Sequence, residues 1–309
     1  MARDTLLLVE KCSHCFSWYD IESGERLRSL QLPDFPHEFV TDRAERYAYV
    51  GHYGVETSGH VGEGGHVLLQ IDIRSSQLVR SIDLSPFNRI HGLQMDMHDR
   101  LYALSEEKAT LLVLDQPATD IAARRAVPSG GIKSHLFALS RDGQTAFCMN
   151  LLSHTVTKVK PWDPLAAPLA CHPGQKPEGY CLSADEETLF VSNRWSNTLS
   201  AIDTASMAVK YSAPSREDVT RLYRAPDGRM FTSNYGDRSL SIVNPDNLQE
   251  THYLKLEGRC IALTFHPTKP LAFISLDSDR VAVLDLTELK VLRYIATQKE
   301  PDVSKVVML

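Results

Sequence analysis

Apolar positions along this chain fall in short runs that alternate with polar ones. Gly, Asp, Asn or Ser interrupts each run within a few residues. A spacing of two marks strands with one face packed; helices would repeat every 3.6 residues. The alternation itself recurs. The segment His135-Leu-Phe-Ala-Leu-Ser-Arg-Asp-Gly-Gln-Thr-Ala-Phe-Cys-Met-Asn150 is matched by Glu178-Gly-Tyr-Cys-Leu-Ser-Ala-Asp-Glu-Glu-Thr-Leu-Phe-Val-Ser-Asn193. Thr220 to Asn244 and Cys260 to Asp285 read the same way, and each unit holds four strand-like runs.

The register runs through the chain. Equivalent positions on the first strand of successive units are His37, His91, His135, Glu178, Thr220 and Ile261, with spacings of 54, 44, 43, 42 and 41. A further step of about 43 lands near Ser304, inside a lone strand over residues 303–309. The chain starts with three strands, over residues 5–32, that lack a first partner. Joining the two ends gives a seventh unit. Units of four strands and ~40–45 residues, closed this way, predict an all-β, seven-bladed β-propeller with four antiparallel strands per blade. The propeller forms one domain over residues 1–309, and closure removes the free sheet edge. The long first step places an insertion, residues 54–65, in the second blade.

Tyr49-Val-Gly-His-Tyr-Gly54, Phe190-Val-Ser-Asn193 and Phe231-Thr-Ser-Asn-Tyr-Gly236 resemble the Tyr-Val-Thr-Asn-Tyr-Gly hallmark of the YVTN-repeat, lactonase-like propellers. The resemblance covers essentially the whole chain. It implies that the first strand of each blade lines a central channel. It also implies that the loops entering these strands, and those joining strands two and three, share one face, here termed the top. It specifies fold more than function, because such propellers include lactonase-like enzymes, cofactor proteins and non-catalytic binding proteins.

Composition narrows the field. Of 309 residues, 43% are apolar and 23% charged, which suits a packed globular chain. The net charge of −6 and scattered lysines argue against nucleic acid as a partner. No apolar run is long enough for a signal peptide or a membrane span, so a cytoplasmic location is expected. Six cysteines are then expected to be reduced. Cys12-Ser-His-Cys15 falls in a hairpin turn without a helix to activate a thiolate.

The channel mouth carries the candidate chemistry. His37, His91, His135 and Glu178 occupy one repeat position in four adjacent blades. Three imidazoles and a carboxylate suit one transition-metal ion, with Fe or Zn first and Mn, Cu or Ni as alternatives. The rest of the ring, Thr220, Ile261 and about Ser304, is small and uncharged, leaving ligand positions open as catalytic sites require. Glu38 and His52 are the candidate catalytic groups. Glu38 follows His37 and either orients an imidazole or, by strand alternation, faces the blade interface. His52 replaces the Asn found at 150, 193 and 234, where Asn stabilises its own turn. Arg194, Tyr235 and Thr220 are the candidate substrate contacts. The glycine-rich insertion is a candidate lid.

The expected function is a metal-dependent enzyme acting on a small organic substrate at the top of the channel, by hydrolysis, elimination or oxygenation. Two alternatives stay open: a metal-free or calcium-type lactonase-like hydrolase, and a non-catalytic propeller that binds a protein partner on its top face.

Overall fold

The computed structural model describes residues 3–309. Seven four-stranded antiparallel sheets stand around a central axis. The ring closes as the repeat requires. Strand Pro301–Met308 pairs with Asp4–Glu10, which pairs with Cys15–Asp20 and then Arg26–Gln31. The closing strand starts at Pro301, two residues before the expected 303. Among the described residues, no helix is long and apolar enough to cross a membrane.

Packing explains the run Leu6-Leu-Leu-Val9. Seven buried apolar clusters each fill one interface between neighbouring blades. Leu6 and Leu8 face the seventh blade with Phe273 and Val283, while Leu7 and Val9 face the second with Phe39 and Val50. A middle strand buried on both sides therefore reads as continuously apolar. Outermost strands such as Arg26–Gln31 are polar because one side meets water.

The innermost strands position the site. They are Pro36–Thr41, Ile90–Met95, Ser134–Leu139, Pro177–Leu182, Val219–Arg224 and Cys260–Phe265, with Pro301–Met308 completing the ring. Each loses register once against its neighbour, near its top end. Pro36 pairs with His52 but Phe39 with Val50, and Leu8 pairs with Ser304 but Glu10 with Pro301. The other five strands shift in the same place. One extra residue per strand is a β-bulge, which re-aims the side chain it carries. The bulges hold His37, His91, His135, Glu178, Thr220, Ile261 and Asp302. Gly179 follows one of them, and a Cβ there would lie 2.5 Å from the Thr220 carbonyl oxygen. Only glycine lets the fifth and sixth blades approach this closely.

Candidate functional site

The top of the channel opens into a cavity of about 730 Å³. His37, His91, His135, Glu178 and Asp302 contribute to its wall, with Lys11, Arg194, Arg221 and Tyr235. The three imidazoles form a stack. The rings of His37 and His91 are 4.2 Å apart at 48°, and those of His91 and His135 are 3.7 Å apart at 38°. Tyr53 meets His37 and His91 edge-on at 5.3 and 4.9 Å.

The members of the stack differ in their partners. His91 is fully buried, and among the described residues neither ring nitrogen has a hydrogen-bond partner. His37 Nδ1 lies 3.1 Å from Asp302 Oδ2. The angles are wrong for a hydrogen bond, and both groups remain unpartnered in that sense. The contact is therefore Coulombic proximity rather than a directed bond. His135 Nδ1 is bonded to Glu106 Oε2 at 2.5 Å. Glu106 Oε1 accepts from Tyr53 at 2.9 Å and lies 3.4 Å from Arg89.

Burial, followed by nearby cationic groups, pushes His37 and His91 well below the usual imidazole range, so both are neutral at pH 7. Burial pushes Asp302 the other way, up to about 7, against the pull of Lys11 and with help from Glu38. Burial also opposes charge on Glu178, but Arg194, His135 and Arg221 together outweigh it and lower that carboxyl to about 2. Arg194 donates to Glu178 at 2.8 Å and to both oxygens of Asp218 at 2.6 and 2.9 Å.

Several expectations change at this point. The seventh ring position is Asp302, not Ser304, so the arc beyond Glu178 is not uncharged. Arg221 also enters the cavity and donates to Glu38 at 3.1 Å. Among the described residues, the trio of His, Cys, Asp and Glu ligand atoms lying within 4.8 Å of one another is His37, Glu38 and His91. Glu38 thus joins the imidazoles, because the bulge overrides strand alternation. His135 stands beside the trio, with Nε2 4.0 Å from Glu178 Oε1. Glu178 itself is held by Arg194.

Of the remaining candidates, Arg194 and Tyr235 line the cavity, 5.2 Å apart as a cation over a ring. The Thr220 hydroxyl is spent on the Asp218 carbonyl at 2.8 Å and takes no part in the cavity wall. His52 also lies outside that wall, packed against Gly65, where a Cβ would come within 2.3 Å of its ring. The equivalent Asn residues hold their own hairpins. Asn150 donates to Thr155 and Thr157, Asn193 to Thr198 and Ser200, and Asn234 to Ser239 and Ser241.

The insertion lies over the mouth. Glu56, Thr57 and Ser58 line the cavity. Arg89 donates to the carbonyls of His60 at 2.6 Å and Gly62 at 2.8 Å, and Lys133 donates to that of Ser58. His60 and His66 point to solvent. Cys12 and Cys15 are free thiols bonded to Glu300 and Glu10.

No family model and no curated protein matches the sequence. Solved structures do. The Pseudomonas aeruginosa periplasmic gluconolactonase superposes with a TM-score of 0.76 at 17% identity, over 98% of this chain and 99% of that one. A Bacteroides uniformis protein provisionally named as a 6-phosphogluconolactonase gives 0.77 at 13%, over 99% and 100%. A chain of the mitotic checkpoint complex gives 0.75 at 12%, over 90% and 83%. Identities this low establish the shared propeller fold, and lactonase-like propellers are among its neighbours.

Proposed function

We propose that the protein is a metal-dependent enzyme that hydrolyses a small organic substrate at the top of its channel. The observation that carries the reading is His91. A buried polar atom without a partner costs about 1–3 kcal/mol, yet both nitrogens of this buried, neutral imidazole are bare. One of them belongs to the His37, Glu38 and His91 trio. Neutral imidazoles with a carboxylate are a fitting donor set for Zn or Fe. Asp302 lies 3.1 Å from His37 Nδ1 and adds a second carboxyl group beside the donor set.

When bound, such an ion supplies Lewis acidity toward a substrate carbonyl and lowers the pKa of a water. The chain's own groups do the rest. His135, fixed through Nδ1 by Glu106, offers Nε2 as the proton acceptor. Arg194 and Tyr235 orient the substrate, and the insertion limits access of bulk water. The cavity's volume falls in the range of small-molecule sites. Gluconolactonases on the same fold support a lactone or similar small ester as substrate class.

The test is elemental analysis of untagged protein beside a His37→Ala/His91→Ala variant. Near one equivalent of transition metal in the parent, lost in a folded variant, is expected. No metal after anaerobic reconstitution overturns the reading.

The His135–Glu106 pair favours a second reading, a metal-free lactonase-like hydrolase using that pair as general base. Chelator-resistant hydrolysis that His135→Gln abolishes would select it.

A further inference from the structure

The channel does not end at the histidines. Below them the Glu38–Arg221 ion pair crosses the axis. Beneath it lies a second cavity of about 310 Å³, which continues into a wide opening on the lower face. The two share Tyr180, Cys181, Arg224, Thr264 and Phe265 as wall residues. Nothing in the proposed hydrolysis uses this space.

Its lining is that of a ligand site rather than a solvent channel. Leu136, Leu222, Leu263, Tyr223 and Phe265 give it apolar and aromatic walls. Small-molecule sites combine such walls with a few placed polar groups. Here those groups are Arg221, Arg224 and the two tyrosines. Arg221 is committed to Glu38. Tyr180 is bonded to Gln94. Arg224 sits exposed where the cavity meets the lower opening, and among the described residues it makes no ion pair or side-chain hydrogen bond. The opening carries Arg141, Arg224 and Lys305 against Glu186 alone, in a chain whose net charge is −6. Arg141 is paired with Glu186 and Lys305 with Glu45. Arg224 is the cation left for an incoming anion. Its planar guanidinium suits a carboxylate bound through two parallel hydrogen bonds.

We infer that the lower channel is a second binding site, for an aromatic monocarboxylate. The ring enters between Tyr223 and Phe265, and the carboxylate stays at Arg224. The Glu38 carboxylate at the inner end, neutralised by Arg221, sets the orientation: an anion is favoured at the mouth and not at the roof. Glu38 is shared with the metal trio, but the anion contact at Arg224 and the walls of Tyr223 and Phe265 lie outside it, so the site does not need His37 or His91.

Calorimetric titration of the full chain with 2-naphthoate tests this. Saturable binding near one equivalent is expected. It should weaken about tenfold or more in Arg224→Gln and for the uncharged 2-naphthamide. His91→Ala, checked for folding by its melting curve, should bind 2-naphthoate as the parent does. Arg224 is exposed and unpaired, so its variant folds. Absence of saturable binding at millimolar ligand overturns the proposal, and so does binding unchanged in Arg224→Gln. Binding lost in folded His91→Ala overturns it too, since the ligand would then occupy the upper cavity.

Discussion

Nδ1 of His135 and Oε2 of Glu106 lie 2.5 Å apart, joining the fourth blade to a turn of the third. Burial opposes charge on Glu106, and the hydrogen bonds from His135 and Tyr53 together with the nearby basic groups outweigh it, so the carboxyl is held below its usual range. Removing it strands His135 Nδ1 and the Tyr53 hydroxyl, and takes one of two neighbouring carboxylates from the buried Arg89 guanidinium. Glu106→Ala is expected to cost about 3–5 kcal/mol, the scale for breaking one side of a buried pair. Glu106→Gln, which keeps an acceptor, should cost clearly less. Urea unfolding of both variants measures this, and equal losses would show that the space filled matters rather than the acceptor.

Arg89 joins that network to the insertion through the His60 and Gly62 carbonyls. Loops held by few contacts open locally at low cost. Arg89→Ala and Lys133→Ala should each speed cleavage by a glutamyl endopeptidase at Glu56 or Glu63 several-fold at a temperature where the variants stay folded. Cleavage at the parental rate in both would mean that the segment is held by other contacts.

Asp302 gives a pH dependence of definite sign. Its carboxyl titrates near 4 when unfolded and at about 7 when folded. The folded state therefore holds the proton more tightly. The stabilisation is full below pH 4 and disappears as pH rises through 7. Asp302→Asn cannot ionise and escapes that loss. In chelator-dialysed protein the variant should melt higher than the parent at pH 8, on the order of a few kcal/mol, with the gap closing by pH 4. A gap constant from pH 4 to 8 would refute this assignment.

The propeller was legible because period-two alternation and repeat spacing are local properties of sequence. The closing strand came out too, since an unpaired first strand at one end matched its absence at the other. The site was legible only in part. Repeat counting found the ring positions His37, His91, His135 and Glu178, but a step of about 43 overshot Asp302 because the last two steps are each 41. Alternation left Glu38 undecided. The extra residue in its strand turns it to the channel, and a bulge leaves no mark in the hydrophobic pattern. Glu106 was passed over because its partners come from neighbouring blades, and spacing along one blade cannot reveal contacts across two. His52 lies outside the cavity wall for a related reason: Gly65 of the insertion packs against its ring, a contact that spacing along the blade does not reveal.

The bulges have an evolutionary consequence. Each ring side chain sits on a residue that the strand ladder does not count, so exchanging it disturbs neither pairing nor the apolar seams between blades. There are seven such places, one per blade, and six of them line one opening. The chemistry of the mouth can thus be rewritten by single substitutions while the architecture stays fixed. For protein engineering, the codons of His37, His91 and Ile261, which line the mouth outside the buried His135–Glu106 and Glu178–Arg194 pairs, form a compact library in which new ligand sets can be sampled at the least cost to folding.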